Sequence, residues 1–255
     1  MILAWIGALL IGVTLGLLGS GGSILTVPVL TYLVGQEVKV AIAGSLMIVG
    51  VISVFAAIPY ARQNQVKWRT VFLFGIPGMA GAIAGARVAH FISDSVQMLI
   101  FAALLLIASY LMFKPVNLVG ADKERSERAI HKIMADGLVV GFITGIVGVG
   151  GGFLIIPALV LLGGLSMRLA VGTSLVIIAF KSFAGFLGYL TVLDALNLSV
   201  DWYIIFIFSI IGILGGWLGH KLSSEVNQTH LKQGFAIFLV LMGLFIFYEH
   251  LQVVI

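Results

Sequence analysis

The chain has 255 residues, of which 61% are hydrophobic and only 9% are charged, and its formal net charge is +4. A soluble domain of this composition would lack the polar surface it needs, so we interpret the chain as a multi-pass membrane protein. The basic residues lie mostly between apolar runs, where they report membrane orientation and indicate no nucleic-acid partner. The chain contains no cysteine, which excludes disulfides and thiolate chemistry.

Continuous apolar runs predict an all-α polytopic membrane fold of eight to ten segments, because they are long and do not alternate with polar residues. The first five runs cover 2–18, 23–35, 41–60, 70–90 and 96–113. The second five cover 136–147, 152–164, 169–190, 202–221 and 230–250. The first run lacks a positively charged start, so we expect a retained span rather than a signal peptide.

A charged stretch separates the two sets of runs. It covers 114–134 and contains Asp122, Lys123, Glu124, Arg125, Glu127, Arg128 and His131. Such a composition is too polar for hydrocarbon, so we expect a solvated, partly helical cytoplasmic linker. It would join a first repeat over 1–113 to a second over 135–255.

The second set of runs repeats the first. An ungapped alignment of 12–46 with 141–175 gives 13 identities in 35 positions. Glycine and alanine are enriched in membrane helices and could match by chance. Pairs such as Pro28 with Pro157 and Ser45 with Ser174 argue against chance. The alignment continues with Ser53 opposite Ser182, which predicts two homologous repeats of four to five transmembrane or half-helices each.

The relative orientation of the repeats depends on whether the short runs 23–35 and 152–164 cross the membrane. With four crossings per half the repeats are parallel, and with five they are inverted. Inversion puts nearly all basic residues on the cytoplasmic side and leaves only Lys39 and Arg87 outside, so the positive-inside rule favours it. A helix of 13 residues rises about 20 Å, which leaves a re-entrant hairpin as the alternative.

Each half contains a glycine cluster followed by a proline inside an apolar run. Glycines let the chain leave helical geometry, and the exposed N–H groups and the positive end of the next helix attract anions. We therefore predict that both helix breaks line a site for a small anion, with ligand-free helix packing as the alternative. The first break contains Gly19, Ser20, Gly21, Gly22 and Ser23 before Pro28, and the second contains Gly148, Gly150, Gly151 and Gly152 before Pro157.

Lys181 lies in the middle of the run 169–190, where a charged lysine costs about 2.5 to 3.5 kcal/mol. No acidic residue falls deep in a run, so we expect the ligand to supply its counter-ion. The hydroxyl groups of Ser45, Thr173, Ser174 and Ser182 complete the predicted substrate site. The alternative is a lysine bonded to backbone carbonyls or extended towards the interface. We predict neither a metal ion nor a cofactor.

The sequence GVGGGFLIIPALVLLGGL at 148–165, followed by AVGTSL at 170–175 and SFAG at 182–185, resembles the TauE/SafE family of sulfite and organosulfonate exporters. The resemblance covers the whole chain. It implies a secondary-active permease for sulfite, sulfoacetate or related anions in a prokaryotic inner membrane, with alternating access between two repeats. Family members often have asparagine where this chain has Lys181, and a fixed positive charge would strengthen anion binding or shift selectivity.

An anion channel and an intramembrane enzyme are the alternative functions. An enzyme would need Ser182 as its nucleophile and Lys181 as its base, but adjacent residues point to different faces of a helix. The sequence contains no HExxH, GxSxG or Walker A motif, so we predict a transporter and not an enzyme. The expected partners are the anion, the lipid bilayer and, if transport is coupled, a proton carried by the anion or by Lys181. The sequence does not decide whether the protein forms a homo-oligomer.

Overall fold

The computed structural model describes residues 2–19, 21–113, 130–148, 152–159, 165–222 and 228–254. Within these ranges the chain is helical and contains no strand. Five helices are long and apolar enough to cross a membrane. The prediction of an all-α polytopic membrane protein is therefore confirmed.

Ten α-helices occur in the described part of the chain, and they coincide with the ten predicted runs. The first five are α1 (Ile2–Leu18), α2 (Gly22–Pro28), α3 (Val38–Arg62), α4 (Trp68–Val88) and α5 (Asp94–Phe113). The second five are α6 (Ile130–Val147), α7 (Gly152–Pro157), α8 (Met167–Ala195), α9 (Trp202–Leu222) and α10 (Gln228–Val254). Most of the predicted linker lies outside the described residues, and its last residues already belong to the first turns of α6.

The short helix α2 folds back along α1. A side chain on Gly22 would collide with the carbonyl group of Ile11, and one on Gly7 would approach Val29 to 2.9 Å. The helix becomes a π-helical turn directly after Pro28, which has no N–H for an ordinary helical hydrogen bond. Since Gly22 contacts Ile11 and the later residue Val29 contacts the earlier residue Gly7, α2 and the π-helical turn run antiparallel to α1.

The long helices pack through glycine contacts that reveal their directions. Gly12 and Gly16 of α1 lie against Gly212 and Gly216 of α9, so these two helices are parallel. The same spacing recurs where α6 packs on α4, at Gly141 against Gly78 and Gly145 against Ala82. Small residues allow such close approach of helix backbones in membranes.

Helices α3 and α8 cross at the centre of the bundle and run antiparallel. Gly50 of α3 contacts Phe183 of α8, whereas the earlier residue Leu46 contacts the later residue Gly185. Of the five long apolar helices, these two are the most buried. Exposed aromatic and aliphatic side chains such as Phe72 and Phe206 cover the outside of α4 and α9, as expected for a surface that meets lipid.

The helix directions define two ends of the bundle. The Lys39 end contains the starts of α3 and α5 and the ends of α4 and α8. The Arg168 end contains the starts of α4, α6 and α8 and the ends of α3 and α9. Helices α5 and α10 pack antiparallel against each other, and Ser109 Oγ donates to the carbonyl oxygen of Ala236 at 2.9 Å.

Candidate functional site

Each glycine break is bonded to a serine from the other half of the chain. Ser45 Oγ on α3 donates to the carbonyl oxygen of Gly148 at 2.6 Å, and Ser174 Oγ on α8 donates to that of Gly19 at 3.1 Å. The two glycines have φ angles of 70° and 68°, which only glycine adopts without strain. Two of the predicted site serines therefore bind the breaks themselves.

The other predicted residues of the first break belong to the packed hairpin. Gly21, Gly22 and Ser23 are buried, and the last two lie in the first turn of α2. At the second break, Gly152 begins α7 and Pro157 ends it. Ser20, Gly150 and Gly151 lie outside the described residues.

Thr173 is fully buried and contacts the connection between α3 and α4 near the Arg168 end. Its hydroxyl oxygen accepts a hydrogen bond from the backbone N–H of Lys67 at 3.0 Å. The neighbouring Gly172 lies against the carbonyl oxygen of Gln65 in the same α3–α4 connection. Thr173 therefore fixes α8 to this connection.

The two breaks lie at different depths in the bundle. The first break is level with Ser174 on α8, because Ser174 bonds Gly19. The second is level with Ser45 on α3, and the adjacent Leu46 contacts Gly185 of α8. Residues 174 and 185 are separated by about 16 Å along a helix. The structure thus does not bring the two breaks together at one point.

Lys181 lies between these two levels. Its side chain is 1% exposed, and Nζ has no hydrogen-bond partner in the described structure. The aliphatic part passes over Gly78 of α4, where an added Cβ would lie 3.0 Å from Lys181 Cδ and 3.3 Å from the carbonyl oxygen of Gly137. A buried ammonium group without a partner is strongly destabilising, so a bound anion would be stabilised here.

Two buried hydroxyl groups near the crossing of α3 and α8 also lack a partner. Ser53 and Ser182 are both 0% exposed, and neither Oγ has a hydrogen bond. Ser45 and Ser174, by contrast, also donate to carbonyls of their own helices at 2.8 Å, as helical serines often do. Ser53 follows Gly50 by three residues and shares its face towards α8.

Ser53 was missed as a site residue by the sequence analysis. The signal was present, because the repeat alignment pairs it with Ser182. The same alignment pairs Ile52 with Lys181, and both side chains pack against a glycine of a neighbouring helix, Gly212 for Ile52 and Gly78 for Lys181. The two aligned positions therefore hold an aliphatic side chain and an amino group.

A buried polar cluster at the Lys39 end was also missed. Lys39 Nζ donates to the carbonyl oxygens of Ala89 at 2.7 Å and Ile92 at 2.9 Å, and to Gln97 Oε1 at 2.6 Å. Asp94 Oδ1 lies 3.6 Å from the same nitrogen. The sequence analysis left Lys39 on the outside without a role, because its partners come from a helix end and a helix start far along the chain.

The cluster continues to the end of α6. Gln97 Nε2 donates to the hydroxyl oxygen of Tyr189 at 2.6 Å and also to the carbonyl oxygen of Ile146. The Tyr189 hydroxyl donates to this same carbonyl oxygen at 2.6 Å.

At the Arg168 end, the Tyr60 hydroxyl donates to the carbonyl oxygen of Gly16 at 3.2 Å, and the ring of His220 packs edge-on against Tyr60.

Comparison with known proteins identifies the class of molecule. The family model for the sulfite exporter TauE/SafE matches residues 4–246. A probable membrane transporter protein of Xylella fastidiosa is 31% identical over 246 residues, covering 94% of this chain and 92% of that protein. Another of Methanocaldococcus jannaschii is 26% identical and covers 93% of both chains. No solved structure matches. The chain, a membrane protein with an isolated buried charge among apolar helices, belongs to the TauE/SafE family of membrane transporters.

Proposed function

We propose that the protein is a secondary-active transporter of small sulfur-containing anions, such as sulfite, sulfoacetate or other organosulfonates, in a prokaryotic inner membrane. The observation that carries this proposal is the buried ammonium group of Lys181, which has no hydrogen-bond partner. A membrane protein retains such a charge where a ligand neutralises it. The family description names sulfite, an anion that a buried positive charge would attract.

We infer that Lys181 reaches the anion with its long side chain from the face of α8 next to α4, and that Ser182 and Ser53 bind it from the neighbouring face, where α8 crosses α3. Lys181 supplies the positive charge, and the two hydroxyls supply neutral donors from α8 and α3. Hydrogen bonds from charged and neutral donors together suit a group with several oxygen atoms, such as a sulfonate. The glycine breaks flank this site along the bundle and would line the path of the anion on either side.

The two halves are proposed to be inverted repeats that alternate access. Supporting this, the contact of Gly12 with Gly212 in α1 and α9 has its counterpart in the contact of Gly141 with Gly78 in α6 and α4. Helix α6 also runs opposite to α1, since α1 is parallel to α3 and α6 is parallel to α8. Inverted repeats that exchange equivalent contacts can adopt two arrangements around a fixed site, related by a pseudo-two-fold axis in the membrane plane.

The Arg168 end is proposed to face the cytoplasm. Basic residues are concentrated at this end, and the positive-inside rule associates such residues with the cytoplasmic side. They are Arg62, Lys67, Arg69, Lys132, Arg168 and Lys221. If transport is coupled to protons, the proton is carried by the anion or by Lys181.

The test is the flux of labelled sulfite and sulfoacetate into proteoliposomes that contain the wild-type protein or Lys181→Met. Methionine keeps the length of the side chain and removes its charge, so we expect flux to fall at least tenfold while the protein stays folded. Ligand binding is measured separately by thermal shift, because a bound anion stabilises the folded protein by mass action. Unchanged flux in Lys181→Met would refute the assigned site, and an ohmic single-channel current would indicate a pore.

A further inference from the structure

The polar cluster at the Lys39 end connects both halves of the chain. We define the Lys39 cluster as Lys39, Asp94, Gln97, Tyr189 and the carbonyl group of Ile146. Lys39 and Gln97 belong to α3 and α5 of the first half, and Tyr189 and Ile146 to α8 and α6 of the second. Lys39, Gln97 and Tyr189 are 5%, 1% and 0% exposed, whereas the Asp94 side chain is 49% exposed, so the cluster is buried except at Asp94.

The hydrogen bonds of the cluster depend on one another. The amide group of Gln97 accepts from Lys39 with its oxygen and donates to Tyr189 and Ile146 with its nitrogen. The Tyr189 hydroxyl both accepts from Gln97 and donates to Ile146. Buried networks in which every member is satisfied hold a single arrangement, and losing one member weakens the others.

The Lys39 cluster lies next to the second helix break, on the side of the Lys39 end. Ile146 lies two residues before Gly148, whose carbonyl oxygen accepts the bond from Ser45. Its hydrogen bonds therefore attach the end of α6 to α5 and α8. This attachment lies between the Lys39 end of the bundle and the depth of Lys181. Movement of the break away from α3 and α8 requires these bonds to separate.

The opposite end is built differently. The alignment pairs Tyr189 with Tyr60 and Lys39 with Arg168. Tyr60 also bonds a backbone carbonyl next to its break, that of Gly16. Arg168, however, is exposed, whereas Lys39 is buried and bonded to three acceptors. A buried cation therefore holds helices together at the Lys39 end. The aligned residue Arg168 is exposed and does not do so at the other end.

We propose that Lys39, Gln97 and Tyr189 form a gate at the Lys39 end, which is closed in this structure and must open for the anion to pass between that side and Lys181. This gate rests on the proposed alternating access. Lys39, Gln97 and Tyr189 do not bind the substrate; they hold the end of α6 in the closed position. Weakening the gate shifts the protein towards the state that is open at the Lys39 end.

The test uses two isosteric cysteine reporters, which the cysteine-free chain permits. Ser45→Cys places a thiol behind the Lys39 gate, and Ser174→Cys places one at the aligned position behind the other end. A membrane-impermeant maleimide is applied from each side of the membrane. Adding Tyr189→Phe removes one hydroxyl, and we expect it to raise the labelling rate of Ser45→Cys from the Lys39 side about fivefold or more.

The matched control is Tyr60→Phe, which removes the aligned hydroxyl and should not raise labelling of Ser45→Cys from the Lys39 side. Lys39→Gln is the second gate variant and should act like Tyr189→Phe, while Lys39→Arg should retain most of the closed state. If neither gate variant raises labelling of Ser45→Cys in protein that still binds or transports the anion, the gate is refuted. A gate that opens in protein without anion flux would instead refute the proposed function and keep the gate.

Discussion

The hydroxyl group of Ser45 bonds the carbonyl oxygen of Gly148, a residue 103 positions later in the chain. This bond fixes the position of the second helix break relative to α3. The break therefore depends on the packing between the two halves as well as on its own glycines. Its stability can be separated into a backbone part and a hydrogen-bond part.

Gly148→Ala should destabilise the protein more than Ser45→Ala. Alanine at residue 148 meets a φ of 70° and collides with the Ile42 side chain. The Ser45 change leaves one buried carbonyl less well satisfied, which costs about 1 to 3 kcal/mol. Thermal unfolding in detergent measures both, and equal melting temperatures for the two variants would contradict a larger cost for the backbone conformation at Gly148 than for the lost hydrogen bond.

Ser53→Ala and Ser182→Ala should have opposite effects on stability and on binding. Each change removes a buried hydroxyl that has no partner, so the ligand-free protein should keep or slightly raise its melting temperature. If both hydroxyls donate to the anion, its Kd should rise about fivefold per serine, because each neutral hydrogen bond contributes about 1 kcal/mol. Ser174→Ala is the control, since this hydroxyl is already bonded to Gly19. Loss of stability without loss of affinity would assign the two serines to packing.

Lys181→Ile should stabilise the ligand-free protein. The aligned residue Ile52 shows that an isoleucine fits against a glycine of the neighbouring helix, and the substitution removes a buried, unpartnered charge. Melting temperature is compared with and without anion for the wild type and the variant. We expect a higher value without anion and no further rise with anion. A lower value without anion would mean that the lysine has a structural role.

Gly141→Ala should disrupt the α4–α6 pair, because the new methyl group would overlap the backbone of Gly78. A backbone carbonyl cannot move aside as a flexible side chain can, so we expect a loss of at least 2 kcal/mol, about the cost of overpacking a core. Gly44→Ala is the matched control, since its nearest contact is the ordinary distance of 3.5 Å to Leu30. Yield and melting temperature after purification report the difference, and equal values for both variants would contradict close helix contact at Gly141.

The helices were predictable because lipid demands long apolar segments. The run 41–60 became α3 (Val38–Arg62), and the run 202–221 became α9 (Trp202–Leu222). Helix α6 begins at Ile130, inside the charged stretch for which a partly helical linker was predicted. A helix can extend beyond the hydrocarbon core of the membrane. The change from apolar to charged residues therefore marks the membrane boundary and does not mark the end of the helix.

The site was predictable only where a residue is unusual by itself. Lys181 stood out because no neighbour in the sequence compensates its charge, and its nitrogen indeed has no hydrogen bond. The Lys39 cluster could not be found in this way, since Gln97 and Tyr189 are ordinary residues that acquire their role when 50 to 150 positions of chain are folded together. The depths of Gly19 and Gly148 were equally hidden, because they depend on the register between α3 and α8.

The pairing of Lys181 with Ile52 has an electrical consequence. When Lys181 is protonated, α8 brings a positive charge to the central crossing where the aligned position of α3 brings only Ile52, so the empty protein would have a charge inside the membrane that the proposed monovalent anion cancels. A membrane voltage acts on a charge that moves through its field and leaves a neutral complex unaffected. We therefore expect the membrane voltage to change the rate at which the empty protein switches between its two access states. The rate of the same switch with the anion bound should not depend on voltage.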